Sequence, residues 1–226
     1  MTIQAVLFDL DGTLLHTVPD LAAAVNAMLV DLGKPVLSEE TVAVYVGKGA
    51  ENLVNRSLTG SMTEKASPEL YAQAMANWQN HYTHINGNHS VFYDGVKEGL
   101  ALLKQAGFKL AVVTNKPERF THPLLERTGI AHYFEVVVGG DTCPVKKPDP
   151  MPVQHACRLL GVEAAQALMI GDSVNDALSA NNAGVECWLL PYGYNEGRSV
   201  YETQCDGIVN TIEEAAQRLI GTRIPQ

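Results

Sequence analysis

The sequence predicts an α/β fold, a doubly wound, Rossmann-like parallel sheet that carries an inserted helical domain. In the second half of the chain, short apolar runs alternate with helical patterns, which is typical of right-handed βαβ units and a parallel sheet. The first apolar run, Ala5–Phe8, is instead followed by a long stretch, residues 17–84, with helix signals and no convincing strand. We therefore expect residues 1–15 and 88–226 to form the core and residues 16–87 to form a helical cap inserted after the first strand.

The insert divides into helices at residues that favour helix starts and stops. Thr17 is expected to cap the first helix with its hydroxyl, with Pro19 and Asp20 in the first turn. Gly33 supplies the stop of that helix. Further helices are expected to start at Ser38, to span Ala50–Leu58, and to run from Ser67 to about His84.

In the core, apolar runs predict the strands, and glycines mark the ends of the helices. Pro123 is expected to weaken the helix in which it lies. Thr211 and Glu214 are expected to form a capping box at the start of the last helix. The expected strands are residues 5–8, 109–113, 134–138, 168–170 and 187–190, and the expected helices cover residues 95–105, 150–160 and 175–183 and begin at 117 and 211.

Composition and charge limit the partners that we expect. The formal net charge is −9, and nucleic acids and anionic membranes are bound by basic patches, so neither is an expected partner. No apolar run approaches the ~18 residues of a membrane span, and Met1–Gln4 lacks the basic region of a secretory signal. We expect a cytoplasmic protein whose four scattered cysteines, Cys143, Cys157, Cys187 and Cys205, are reduced thiols.

Two carboxylates, Asp9 and Asp11, come directly after the first strand, and Gly12 marks the turn that follows. Isolated carboxylates are costly to bury, so a neighbouring positive charge is expected. Mg²⁺ suits this position because it prefers oxygen ligands and accepts one or two carboxylates together with substrate phosphate. The sequence therefore predicts a Mg²⁺-dependent phosphoryl-transfer site.

Four polar signals follow apolar runs, at the edge where the carboxyl ends of parallel strands meet. Open parallel sheets bind ligands at this edge. The signals are Asp9 with Asp11, Thr114 with Asn115, the loop 139–150 with Lys147, and Gly171–Ser173. We expect these distant segments to converge on one site.

These residues resemble, in order, the four motifs of the haloacid dehalogenase-like hydrolases. The motifs are Asp9–Thr13, Thr114–Asn115, Lys147–Pro148 and Gly171–Asp176. The resemblance covers nearly the whole chain, and the position of the insert is similar to the first type of helical cap in that superfamily. Thr114–Pro117, Gly139–Asp141 and Tyr192–Asn195 look most like the phosphoglycolate phosphatase branch.

The resemblance implies a role for each matching residue. Asp9 would attack phosphorus as a nucleophile, and Asp11 would act as the general acid and base. Mg²⁺ would bind the Asp9 carboxylate, the Asp11 backbone carbonyl and the Asp172 carboxylate. Thr114, the amides from Asn115 onward and Lys147 would hold the phosphate oxygens, Thr13 would assist Asp11, and Ser173 and Asp176 would support the site.

Lys48 lies between two glycines in a break of the insert, and two interpretations stand. It is either an exposed lysine at a flexible break or a cap residue that meets a substrate carboxylate. The phosphoglycolate phosphatase pattern usually has a neutral residue at this position and an acid where this chain has His16. Both departures concern the cap contacts.

The leading function is a Mg²⁺-dependent phosphatase of a small phosphate ester, with 2-phosphoglycolate as the best candidate. A sugar phosphomutase shares every core motif, and a phosphonoacetaldehyde hydrolase would need Lys48 to form a Schiff base. A dehalogenase is disfavoured by Asp11, since that reaction needs no such acid. A receiver-like phospho-acceptor module is disfavoured by the insert after the first strand. The sequence does not specify an oligomeric state.

Overall fold

The structure, a computed structural model, describes residues 2–223. Its strands and helices follow the predicted alternation along the chain. The strands are β1 (Ala5–Phe8), β2 (Leu15–His16), β3 (Val91–Phe92), β4 (Lys109–Val113), β5 (Val136–Val138), β6 (Ala167–Gly171), β7 (Glu186–Leu189) and β8 (Gly207–Ile208). The helices are α1 (Val18–Asp31), α2 (Glu39–Tyr45), α3 (Ala50–Thr59), α4 (Pro68–Ile85), α5 (Val96–Gln105), α6 (Glu118–Arg127), α7 (Met151–Leu160), α8 (Val174–Ala183) and α9 (Ile212–Arg223).

One six-stranded sheet forms the core, in the order β5-β4-β1-β6-β7-β8, and all its neighbouring strands are parallel. The first strand of the sequence therefore lies in the interior of the sheet, where Ala5 pairs with Lys109 on one side and with Ala167 on the other. This order reverses direction at β1, as a doubly wound sheet requires. The predicted fold class is confirmed.

Both faces of the sheet are buried, which explains why its strands are continuous apolar runs. Val6 and Phe8 face a core that includes Leu100 and Ile212, from the packed pair α5 and α9. The alternate residue Leu7 faces the opposite core, which includes Val153 of α7 and residues of α8. Within residues 2–223, no helix is both long and apolar enough to cross a membrane.

Helices α1–α4, which we call the helical insert, have a hydrophobic core of their own. Met28, Val54 and Trp78 are among its buried residues. Phe120 and Tyr194 belong to the sheet-bearing part of the chain but pack into the same cluster. The insert is therefore seated on the core through apolar contacts.

A two-stranded antiparallel ribbon joins the insert to the core, and the sequence did not predict it. Leu15 of β2 pairs with Phe92 of β3, and His16 pairs with Val91. Two residues per strand are too few for an alternating pattern to be recognised. Above the ribbon, the buried carboxylate of Asp20 accepts hydrogen bonds from backbone N–H groups of residues 87, 89 and 90, which ties α1 to the end of the insert.

The predicted hydroxyl cap at Thr17 is wrong. Its side chain makes no capping hydrogen bond, because its backbone (φ −103°, ψ −5°) is helical and a capping residue needs an extended backbone. The Tyr194 hydroxyl instead accepts hydrogen bonds from the backbone N–H groups of Thr17 and Val18, at 3.0 and 3.3 Å.

The predicted capping box of α9 forms only in half. The Thr211 hydroxyl accepts a hydrogen bond from the Glu214 N–H at 3.0 Å. The Glu214 carboxylate, however, accepts from the backbone N–H of Asn210 rather than from that of Thr211, because it also binds the Asn210 side chain. Pro123 lies inside α6 and does not end it, since burial of Phe120 and Leu124 stabilises that helix through packing.

Candidate active site

Lys147 brings three of the four predicted signals together at the carboxyl edge of the sheet. Its Nζ lies 3.1 Å from Asp9 Oδ1 and 2.6 Å from Asp176 Oδ1. It also donates a hydrogen bond to the Val113 carbonyl oxygen, at the end of β4. The loop after β5 thus delivers a buried cation to carboxylates that follow β1 and β6. Burial lowers the pKa of Lys147, but Asp176 and Asp9 together raise it by a larger amount, so the ammonium stays charged.

Three carboxylates, those of Asp9, Asp172 and Asp176, have oxygens within 4.8 Å of one another. Burial raises the pKa of Asp9 from 3.8 to about 6, because the opposing effect of Lys147 is smaller than the cost of desolvation. Burial likewise raises the pKa of Asp172 well above its ordinary value. Three carboxylates beside one ammonium leave negative charge uncompensated, and this set of hard oxygens fits a divalent cation such as Mg²⁺.

Asp176 already uses both of its carboxylate oxygens within the protein. Oδ1 accepts from Lys147, and Oδ2 accepts from the Asp172 N–H, the Ser173 N–H and the Ser173 hydroxyl. Ser173 and Asp176 form a reciprocal capping box at the start of α8. Asp172 accepts one hydrogen bond at each oxygen and Asp9 contacts Lys147 alone, so both are more open to a metal than Asp176, which positions their surroundings.

Thr13, in the turn that follows β1, holds Asp172. This contact differs from the role expected for Thr13, which was to assist Asp11. The Thr13 hydroxyl donates a hydrogen bond to Asp172 Oδ1 at 2.6 Å, rather than contacting Asp11. The reason lies in Gly12, whose φ of 92° turns the chain toward the end of β6. A Cβ on Gly12 would clash with Asp172 Oδ2, so this close approach requires glycine.

Asp11 contacts a second buried lysine, Lys116, which was not predicted as a site residue. Lys116 Nζ donates to Asp11 Oδ1 and Oδ2, at 3.0 and 3.2 Å, and to the Tyr82 hydroxyl at 2.6 Å. Burial lowers the pKa of Lys116, but Asp11 and Tyr82 together raise it by more, so the side chain remains a cation. Its place two residues after Thr114, at the same strand end, is the signal that could have identified it.

Thr114 and Asn115 take different positions at the end of β4. Thr114 lines the pocket together with Asp9 and Asp11. The Asn115 side-chain amide donates to the Gly47 and Lys147 carbonyl oxygens, at 3.0 and 2.9 Å. The Asn115 side chain therefore connects the core to the insert and to the lysine loop.

Lys48 contacts the core rather than the pocket. Its Nζ lies 3.2 Å from Glu196 Oε1, and buried Arg56 lies 2.6 Å from the same oxygen. Gly47 and Gly49 line the pocket, whereas Lys48 is not among its lining residues. The predicted contact of Lys48 with a substrate carboxylate stays a prediction. His16, the other departure from the pattern, lies with its Nδ1 2.6 Å from the Tyr194 hydroxyl.

The pocket lies between the carboxyl edge of the sheet and the insert, with a cavity volume of about 40 Å³. Its polar side is formed by Asp9, Asp11, Thr114, Asn115 and Lys116. The remaining lining residues are Leu21, Val46, Gly47, Gly49, Ala50, Leu53, Trp78, Tyr82 and Pro117. Such a site can hold a small anion above Asp9 and close its other end with apolar and aromatic side chains.

Comparisons with known proteins agree with this architecture. Residues 6–190 match the family model described as haloacid dehalogenase-like hydrolase, so the chain belongs to the haloacid dehalogenase-like hydrolases. It is 49% identical over 216 residues to a phosphoglycolate phosphatase of Thiobacillus denitrificans, covering 96% of this chain and 95% of that protein.

Two solved structures are similar over nearly the full length. A crystal structure described as a predicted phosphoglycolate phosphatase from Haemophilus somnus has a TM-score of 0.91 and 33% identity, over 96% of this chain and 98% of that one. The crystal structure of CbbY from Rhodobacter sphaeroides in complex with phosphate has a TM-score of 0.78 and 26% identity, over 94% and 96% of the two chains.

Proposed function

We propose that this protein is a Mg²⁺-dependent phosphatase that hydrolyses a small phosphomonoester, with 2-phosphoglycolate as the best candidate. One observation carries the proposal. A half-buried carboxylate, Asp9, lies beside Lys147 and Asp172 at the polar side of a small pocket that also contains Asp11. The similarity to phosphoglycolate phosphatases supports the choice of substrate.

Asp9 is the proposed nucleophile. Its carboxylate oxygen attacks phosphorus and forms an aspartyl phosphate, while the bond from phosphorus to the ester oxygen breaks. Lys147, 3.1 Å from Asp9, keeps the nucleophile oriented and offsets its charge as the phosphate approaches. Thr114 and the backbone amide of Asn115 are proposed to hold the phosphate oxygens as charge develops.

Asp11 is the proposed general acid and base. It donates a proton to the leaving oxygen of glycolate, and then accepts a proton from the water that attacks the aspartyl phosphate. Hydrolysis releases phosphate and regenerates the Asp9 carboxylate. Lys116 holds the Asp11 carboxylate in place at 3.0 Å.

Asp9 and Asp172 are proposed to hold Mg²⁺ through their carboxylates, with the Asp11 backbone carbonyl as a further ligand. When bound, the ion supplies positive charge that lets an anionic nucleophile approach a phosphate. Thr13 and the Tyr194 N–H keep the Asp172 carboxylate oriented by donating hydrogen bonds to its two oxygens.

Residues 16–87 are proposed to act as a cap domain over a core of residues 1–15 and 88–226. The insert supplies one wall of the pocket through Leu21, Leu53 and Tyr82. Substrate selection is therefore assigned to the insert and the chemistry to the core.

Release of inorganic phosphate from a panel of phosphate esters, with and without excess EDTA, tests the proposal. We expect turnover of 2-phosphoglycolate that requires added Mg²⁺. A phosphomutase would instead transfer the phosphoryl group to a sugar phosphate, so the same reactions are examined for sugar bisphosphates. Full turnover in excess EDTA would contradict the metal requirement, and phosphoryl transfer to sugar would contradict the hydrolase.

A further inference from the structure

We infer that Lys116, Tyr82 and Trp78 form a carboxylate-binding subsite, which makes the substrate a phosphate ester of a short hydroxy acid. This inference rests on the proposed phosphatase function and specifies which part of its substrate each wall of the pocket recognises. The three side chains all line the pocket, Lys116 from the loop after β4 and the two aromatic residues from α4 of the insert.

The charge in the pocket favours this assignment. Among the residues that line the pocket, within the part of the chain that the structure describes, Lys116 is the one cation. Lys116 is itself paired with Asp11, but Lys147, which pairs with Asp9 and Asp176, and Lys48, which binds Glu196, both lie outside the lining. A second anionic group on the substrate would lie near Asp9 and Asp11, so it needs a positive charge, and Lys116 supplies it.

Tyr82 offers a hydrogen-bond donor beside that charge. Its hydroxyl oxygen accepts from Lys116 Nζ at 2.6 Å, and the hydroxyl donates no hydrogen bond within residues 2–223. The side chain is fully buried, and burial raises its pKa, which keeps it a protonated donor. A carboxylate accepts several hydrogen bonds and donates none, so it complements this pair.

Trp78 provides an independent observation that points to a ligand. Its indole N–H is buried without a hydrogen-bond partner among the described residues, and the side chain is 2% exposed. Buried donors without an acceptor are rare because each costs free energy. Trp78 stacks on Tyr82, with ring centroids 4.8 Å apart, so both donors belong to the same wall of the pocket.

The position of Lys116 also limits the length of the substrate. Asp11 is the proposed acid for the leaving oxygen, and Lys116 Nζ lies 3.0 Å from its carboxylate. A carboxylate bound to Lys116 therefore lies close to the ester oxygen, which favours a short spacer between the two groups. A 2-phospho acid such as 2-phosphoglycolate satisfies this limit.

The test compares kcat/KM for 2-phosphoglycolate with that for ethyl phosphate, which has the same chain length and no carboxylate. In Y82F, W78F and K116M, we expect the ratio of the two values to fall by roughly ten- to a hundredfold, the range for losing a hydrogen bond to a charged group. The loss should occur mainly in KM for 2-phosphoglycolate. K104M, which removes a half-exposed lysine paired with Glu135, is the matched control and should keep the wild-type ratio.

A binding measurement covers the case in which K116M fails to fold. Calorimetry with Mg²⁺ compares 3-phosphonopropionate, which has the shape of 2-phosphoglycolate and cannot be hydrolysed, with propylphosphonate, which lacks the carboxylate. Wild type should bind 3-phosphonopropionate more tightly, and Y82F and W78F should lose most of that preference. Unchanged ratios and preferences in Y82F and W78F, while wild type hydrolyses both esters, would overturn the subsite and leave the phosphatase intact. Hydrolysis of neither ester would instead overturn the proposed function.

Discussion

The two aspartates after β1 each contact a buried lysine, but the two pairs depend on different parts of the molecule. Lys147 joins Asp9 to Asp176 and to the Val113 carbonyl oxygen, all of which belong to the core. Lys116 joins Asp11 to Tyr82, which belongs to the insert. Pairs with the same chemistry can therefore serve different ends. The pair at Asp9 is formed by residues of the core alone, whereas the pair at Asp11 also depends on Tyr82 of the insert.

The most severe test of the core pair is Asp9→Asn. We expect kcat for phosphate release to fall at least about 1000-fold, because an amide is a poor nucleophile and cannot replace the carboxylate. Asp31→Asn is the control, since Asp31 is a half-exposed residue of α1 that contacts His81. Turnover by Asp9→Asn close to that of the control would show that Asp9 is not the nucleophile.

Substituting each lysine by methionine separates the pairs by stability. Lys147→Met leaves Asp9 and the fully buried Asp176 without their common cation, so the free energy of unfolding should fall by about 3–5 kcal/mol. Lys116→Met removes the cation from one aspartate that is 14% exposed, and its loss should be smaller. Urea denaturation of the metal-free proteins measures both values. Equal losses would contradict the distinction between the two pairs.

Asp9 also predicts how stability depends on pH. Because its pKa is raised from 3.8 to about 6, the folded metal-free protein binds more protons than the unfolded chain between these values. The stability contributed by Asp9 is therefore present below pH 3.8 and is lost as the pH rises to about 6.

Asp9→Asn removes the group whose ionisation causes this loss of stability. At a pH above about 6, the metal-free variant should melt at a higher temperature than wild type. Thermal unfolding in EDTA at several pH values measures the difference. A variant that melts below wild type at every pH would show that the contact of Asp9 with Lys147 outweighs the cost of desolvating Asp9.

The smallest expected effect concerns the contact of the insert with the loop after β7. Glu196→Gln removes the charge that faces Lys48 and Arg56, at 3.2 and 2.6 Å. We expect KM to rise by about two- to tenfold with little change in kcat, because this carboxylate holds the insert on the core without contacting the pocket. Glu126→Gln, at an exposed position of α6, is the control. A loss confined to kcat would contradict this role.

The residues of the core pair could be predicted from the sequence because their positions follow from local patterns. Each of Asp9, Lys147 and Asp172 follows an apolar strand, and the carboxyl ends of parallel strands share one edge. Lys116 follows such a strand as well, but its role depends on Tyr82, which is brought to it only by the packing of the insert. The direction of Thr13 also escaped prediction, since it depends on the backbone turn at Gly12. Tertiary packing, rather than residue type, determines both the contacts of Lys116 and the direction of Thr13.

The ribbon of β2 and β3 brings the two ends of the insert together. Leu15 lies opposite Phe92 and His16 opposite Val91, so the chain leaves the core and returns to it at neighbouring points about 5 Å apart. A segment that starts and ends at one place can be replaced as a unit. The strand that leads to Asp9 would then keep its neighbours β4 and β6. The same reactive edge could then acquire new substrates through recombination of a single stretch of sequence.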